Sequence, residues 1–178
     1  MNIIDTGSNI NPRKDQKSSI RNIPLFQIKG AEYLLKTKNY TNIIFQSIPS
    51  VKFFNDYEFL KNKKNEKYLI VKGEDWLNDV FNYLKENGED VQELICYTRF
   101  KLDSYEDIKK DFRKADAIIF SSTYAVEVFF HEVYSPDMNA IFFGISNRII
   151  KFIFDLGYEA KFIDYFSEDI SESIKKSI

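Results

Sequence analysis

Cysteine is almost missing from these 178 residues. Cys96 stands alone, which excludes an internal disulfide and any multi-cysteine metal site and fits a reducing compartment. Histidine is equally scarce: His131, beside Phe129 and Phe130, is the only one, and it reads as a structural residue of a helix. No apolar run approaches the ~20 residues of a membrane span. The start Met1-Asn2-Ile3-Ile4-Asp5 lacks the basic and long apolar regions of a signal peptide, so the cytoplasm is the expected location and no membrane partner is expected. An excess of one charge is absent too. With 25 Lys+Arg against 27 Asp+Glu and a formal net charge of −2, no global field would recruit nucleic acid or an acidic membrane. Any anionic ligand must be held locally.

What remains describes a globular chain of one ordinary domain or two small ones, 44% hydrophobic and 29% charged, with enough length to bury a core. The 17 Phe and 11 Tyr are what AT-rich coding would give and carry little functional weight by themselves. A turn recurs four times: an apolar strand, then a small polar residue or glycine, then a helix-like segment. Ile43-Ile44-Phe45-Gln46-Ser47 precedes Ile48-Pro49-Ser50-Val51, and Tyr68-Leu69-Ile70-Val71-Lys72-Gly73 precedes Glu74-Asp75-Trp76-Leu77. Ile118-Ile119-Phe120-Ser121-Ser122 precedes Thr123-Tyr124-Ala125-Val126, and Ile141-Phe142-Phe143-Gly144 precedes Ile145-Ser146-Asn147-Arg148. A helix that begins there aims backbone N–H groups and a partial positive charge at the strand ends, where anions settle.

Ile3-Ile4 is a strand candidate, residues 6–22 read as a loop, and Ile23-Pro24-Leu25-Phe26-Gln27-Ile28 is extended. Residues 31–35 look like a short helix, and Lys61-Asn62-Lys63-Lys64-Asn65-Glu66-Lys67 like a solvated connection. Trp76, Leu77, Val80, Phe81 and Leu84 recur at helical spacing before Gly88. A strand over 91–100 and a short helix carrying Ile108 and Phe112 follow. Val126, Phe129, Phe130 and Val133 line another helix. Ile149, Ile150, Ile153 and Leu156 line the next, closed by Gly157. A strand over 160–165 and a terminal helix bearing Ile170, Ile174 and Ile178 complete the chain. Strands alternating with helices imply βα units and a mostly parallel sheet.

Three blocks resemble uroporphyrinogen-III synthase in order and spacing. Tyr68 to Trp76 and Leu77, running through Gly88 and Val91 to Ile95-Cys96-Tyr97, is similar to the family's strand, glycine turn, helix, glycine and strand, with Cys96-Tyr97 replacing a valine-tyrosine. Ala115-Asp116-Ala117-Ile118-Ile119-Phe120-Ser121-Ser122-Thr123-Tyr124-Ala125-Val126 resembles its strand into a Thr/Ser-Ser-Pro-Ser-Ala-Val turn. Ala140 to Asn147 with Leu156-Gly157 resembles its Ile-Gly-Pro-x-Thr helix start and leucine-glycine end. Asn147 stands where the family prefers threonine, and Asp5-Thr6-Gly7 roughly where it has Thr-Arg-Pro. Between Phe54 and Lys67 only a lysine-rich loop replaces the family's strand, turn and helix.

The resemblance implies an α/β protein of two lobes: a flavodoxin-like parallel-sheet domain (1–27 and 98–178) with a smaller, reduced α/β lobe (28–97) inserted in it. The crossings near Ile28 and Tyr97 would serve as the hinge. It also implies a cofactor-independent, metal-free cyclising lyase that closes hydroxymethylbilane to uroporphyrinogen III with the last ring inverted, acting as a monomer in tetrapyrrole and heme biosynthesis. Tyr97, the family-matching tyrosine, would hydrogen-bond or protonate the leaving hydroxyl. Ser47, Gly73, Ser121, Ser122, Gly144, Ser146 and Asn147 would contact substrate carboxylates, with Lys72 and Arg148 as charged supplements. Ordinary helix capping uses the same geometry. The competing reading is a non-catalytic relative that binds a ligand or partner. A phospho-acceptor receiver domain is disfavoured, because Asp5, Asp75 and Asp116 do not form its acidic pair, aspartate and lysine pattern.

Overall fold

The computed structural model describes residues 1–7, 20–35, 40–54, 66–74, 77–165, 167 and 170–177. Residues 8–19 of the expected loop, residues 61–65 of the expected connection over 61–67, Trp76 and Ile178 lie outside them. The chain divides into two compact units, Met1–Gln27 with Lys101–Ile178, and Ile28–Phe100.

The first unit is built on five parallel strands: β1 (Ile3–Asp5), β2 (Ile20–Asn22), β7 (Ala117–Phe120), β8 (Ile141–Gly144) and β9 (Ala160–Phe162), in the order β2-β1-β7-β8-β9. The order reverses direction between β1 and β7, the switch-point arrangement of doubly wound sheets. Side chains alternate across the sheet with the period of two that extended chains impose. Ile3, Ala117, Ile119 and Phe143 share a core with Ile170 and Ile174 of α6 (Ile170–Ser177). On the other face Phe120 and Phe142 meet Phe129 and Phe130, ring centroids 5.3 to 6.4 Å apart. Much of the abundant phenylalanine is therefore core packing.

The short helix expected around Ile108 and Phe112 is α3 (Glu106–Phe112). The helix expected across Val126 to Val133 is two-part: α4 (Thr123–Val128) runs on as a π-helical stretch, Phe129–Val133, with Tyr134 N bonded to Phe129 O. The widened turn accompanies inward placement of both Phe129 and Phe130, and Phe130 stacks on Tyr158 at 4.3 Å. Helix α5 (Asn147–Asp155) ends at Gly157 with φ +89, the left-handed position that favours glycine.

The second unit holds a four-stranded sheet, β3 (Phe26–Gly30), β6 (Asp90–Lys101), β5 (Lys67–Gly73) and β4 (Asn42–Phe45) in that order, with β4, β5 and β6 parallel. Its core gathers Tyr40, Phe54, Leu69, Val71, Leu94, Cys96 and Tyr97. Helix α1 (Ile48–Phe53) follows β4, and α2 (Asp79–Glu86) precedes β6.

Four local expectations are corrected. Residues 31–35 form no helix; five residues cannot nucleate one unaided, and Ala31 N bonds Cys96 O instead. Residues 20–22 are a strand, because pairing with β1 supplies the backbone partners that a lone tripeptide lacks. The helix after Gly73 begins only at Asp79, and Asn78, its N-cap, makes no side-chain cap bond because its Oδ1 accepts from Lys72. The last strand also ends early, at Phe162.

Candidate functional site

In the second unit the structure brings Ser47, Gly73 and Tyr97 together. Tyr97 lies on β6 one strand away from Gly73, with which it is in register, and is 1% exposed. Its ring occupies the space above the glycine: a Cβ on Gly73 would lie 2.4 Å from Tyr97 Cζ and 2.7 Å from its Oη. Phe53 of α1 packs on the ring at 6.3 Å. The Tyr97 hydroxyl sits 3.0 Å from Ser47 Oγ. Burial holds the Tyr97 phenol above its ordinary 10.0, while the Ser47 hydrogen bond and the Arg99 charge pull the other way.

Ser47 is also the N-cap of α1. Its Oγ accepts from Ser50 N at 3.3 Å, and Ser50 Oγ accepts from Ser47 N at 3.1 Å, a reciprocal capping box. Beneath it, Cys96 Sγ reaches the carbonyls of Ser50 and Lys72 at 3.7 and 3.6 Å, and burial pushes its thiol up to about 11. Lys72 is buried, its Nζ 2.6 Å from both Glu93 Oε1 and Asn78 Oδ1. A substrate carboxylate there would compete with Glu93. Sequence reasoning missed Gln46, whose Oε1 is buried with no hydrogen-bond partner among the described residues.

In the first unit Ser121, Ser122, Gly144 and Ser146 stand at the carboxyl ends of β7 and β8. Ser122 caps α4, accepting from Ala125 N at 3.1 Å. Ser146 caps α5 without a side-chain bond, and Asn147 and Arg148 are exposed on its first turn. Gly144 has a packing reason to be glycine: a Cβ would lie 3.0 to 3.3 Å from Ile149 and Ile150 side-chain atoms. The sequence also left unconnected a buried carboxylate at the switch point. Asp5 Oδ2 accepts from Tyr165 Oη at 2.6 Å and Oδ1 from Gly7 N at 2.9 Å. A Cβ on Gly7 would stand 3.2 Å from Asp5 Oδ1 and 3.5 Å from Ser121 Oγ. Asp5 and Tyr165 are 160 positions apart, so only the parallel sheet joins them.

His131 is exposed on the π-helical stretch, its Nδ1 3.0 Å from Glu127 O. Among the described residues no cluster of three or more His, Cys, Asp or Glu could hold a metal ion, and no helix is long and apolar enough to cross a membrane.

The family described as Uroporphyrinogen-III synthase HemD matches residues 17–164. The fold is similar to that of uroporphyrinogen-III synthetase from Helicobacter pylori 26695, with a TM-score of 0.74 and 12% identity over 99% of this chain and 98% of that one. It is also similar to a mutant uroporphyrinogen III synthase from the extremely thermophilic bacterium Thermus thermophilus, with a TM-score of 0.56 and 10% identity over 99% and 96% of the two chains. Among curated proteins no sequence match was found.

Proposed function

The chain belongs to the uroporphyrinogen-III synthase HemD family, and from that premise we propose that it cyclises hydroxymethylbilane to uroporphyrinogen III as a cytoplasmic, cofactor-independent monomer. The observation that carries the reading is the Tyr97 hydroxyl held 3.0 Å from Ser47 Oγ over Gly73. The reaction asks for a proton donor at a departing hydroxyl and for a mould that favours closure with the last ring inverted. A phenol kept above its ordinary pKa by burial is neutral at physiological pH and has a proton to give. Tyr97 donates it to the leaving hydroxyl, which departs as water, and the pyrrole nitrogen supplies the electrons. After ring closure, the cyclised cation returns a proton to the phenolate. With Tyr97 1% exposed, productive binding first uncovers that hydroxyl.

The substrate bears carboxylates and pyrrole N–H groups, and the two kinds of group call for different partners. Ser121, Ser122, Gly144, Ser146 and Asn147 offer hydroxyl, amide and first-turn N–H donors to carboxylates, each helix-end contact worth roughly 0.3 to 1 kcal/mol. Ser122 accepts as a cap, which leaves its own hydrogen for a ligand oxygen. Gln46 Oε1, a buried acceptor without a partner among the described residues, suits a pyrrole N–H. Lys72 contributes only by exchanging Glu93 for substrate.

The test supplies enzymatically made hydroxymethylbilane, oxidises the product and separates the isomers. Type III product above the spontaneous rate is expected. Type I alone, at the spontaneous rate, favours a binding protein on the same scaffold.

A further inference from the structure

The hydroxyl hydrogens around Tyr97 can be assigned almost completely by counting. Ser50 Oγ lies 2.6 Å from the Ser47 carbonyl oxygen and donates there, so its single hydrogen is committed. Ser47 Oγ accepts from Ser50 N at 3.3 Å and has one hydrogen to give. Two acceptors are within reach: Ser50 Oγ at 3.3 Å and Tyr97 Oη at 3.0 Å. Each choice decides what Tyr97 does. When Ser47 donates to Ser50, Tyr97 donates to Ser47. When Ser47 donates to Tyr97, the phenolic hydrogen is released toward any other acceptor, and Oη already carries the hydrogen bond that a phenolate needs.

We propose that Ser47 is a positioning residue for Tyr97, rotating its hydroxyl from Ser50 to Tyr97 as the phenol gives up its proton. This rests on the reading of Tyr97 as the acid. The Ser47 hydrogen stays on Ser47 throughout and only turns. The proton that moves is the phenolic one, to the leaving hydroxyl, and it returns from the cyclised cation. The arrangement explains why the cap of α1 is shared with the tyrosine. A capping serine whose oxygen merely accepts would serve the helix equally well.

Other charges face the same hydroxyl. Arg99 on β6 favours the phenolate and Cys96 opposes it. Lys72 on β5 is paired with Glu93 on β6, and Lys52 on α1 has its Nζ over the Phe53 ring at 5.6 Å. Beside these charges, Ser47 Oγ is the group that hydrogen-bonds Oη directly, at 3.0 Å.

The experiment labels tyrosine at Cζ with ¹³C, assigns Tyr97 by its loss in Tyr97→Phe, and follows its ionisation in the full chain. Ser47→Gly is the main variant, because glycine at an N-cap costs only about a few tenths of a kcal/mol and keeps the fold. The Tyr97 midpoint is expected to rise by about one pH unit in Ser47→Gly, to return in Ser47→Thr, and to fall in Ser50→Ala, where Ser47 has only Tyr97 left to serve. Loosened packing would lower the midpoint in both Ser47→Gly and Ser50→Ala, since burial is what raises it. An unchanged or lowered midpoint in Ser47→Gly, or an unchanged or raised one in Ser50→Ala, overturns the proposal. Because this readout needs no substrate, it stands apart from the functional reading. Opposite shifts in a protein that makes no type III isomer would leave the switch intact and remove the reaction. Where type III is made, the alkaline limb of the pH–rate profile should move with the midpoint.

Discussion

Tyr97 occupies the volume that a side chain on Gly73 would fill. A Cβ at Gly73 would stand 2.4 Å from Tyr97 Cζ and 2.5 Å from its Cε2, far inside van der Waals contact. The glycine that ends β5 leaves room for the phenol on the neighbouring strand, whose hydroxyl sits at Ser47.

Gly73→Ala therefore forces the ring aside. Overpacking of this kind costs about 1 to 3 kcal/mol. Urea unfolding should show that loss, and formation of the type III isomer should fall with it. Gly88→Ala provides the comparison: with φ +80 and nothing within 4 Å of the added carbon, it strains the backbone by roughly 1 to 2 kcal/mol without touching Tyr97. Equal turnover in the two variants would separate Gly73 from the site.

Lys72→Met should act on stability before substrate affinity. Its Nζ is held by Glu93 and Asn78 at 2.6 Å, and Glu93 is 26% exposed. The loss is then about 1 to 3 kcal/mol, less than for a fully buried pair. Lys72→Met combined with Glu93→Gln should recover part of it in a double-mutant cycle. A KM increase of roughly tenfold, about 1.4 kcal/mol, would instead place the ammonium on a substrate carboxylate.

Alkaline pH should destabilise the second unit. The Cys96 thiol is raised from 9.0 to about 11 by burial, and the Tyr40 and Tyr97 phenols are raised above 10.0 by the same cause. The folded state thus binds protons that the unfolded chain has released. Its contribution is complete below the unfolded values and is lost as pH rises through the folded ones. The unfolding midpoint should fall between about pH 9 and about pH 11, and Cys96→Ala should flatten that decline. A midpoint that is level over this range would contradict the burial of these groups.

The sequence carried the β-strands well where both faces are buried: Ala117-Ile118-Ile119-Phe120 is wholly apolar and wholly buried, and Gly157 marked the end of α5 through its φ of +89. It carried residues 20–22 and 31–35 poorly. Their backbone partners lie on other strands, at Ile3 to Asp5 and at Cys96, which no local pattern reveals. The candidate site was legible as residue types at strand ends, not as contacts. Ser47 and Tyr97 are 50 positions apart and Lys72 and Glu93 are 21 apart. Only the register of β5 with β6, and α1 capped at the end of β4, bring them together. Gly144, expected as a carboxylate contact, also has a packing neighbour in α5 that no local pattern reveals.

The most direct measurement is the rate of type III isomer formation by the native chain and by Tyr97→Phe, with near-UV circular dichroism to follow the fold. Removing the hydroxyl deletes its bond to Ser47, at about 1 kcal/mol of stability, and should slow turnover by about 10² to 10⁴-fold with the native spectrum retained. Equal rates for the two proteins, or type I product alone from the native chain, would contradict Tyr97 as the proton donor of this synthase-family protein.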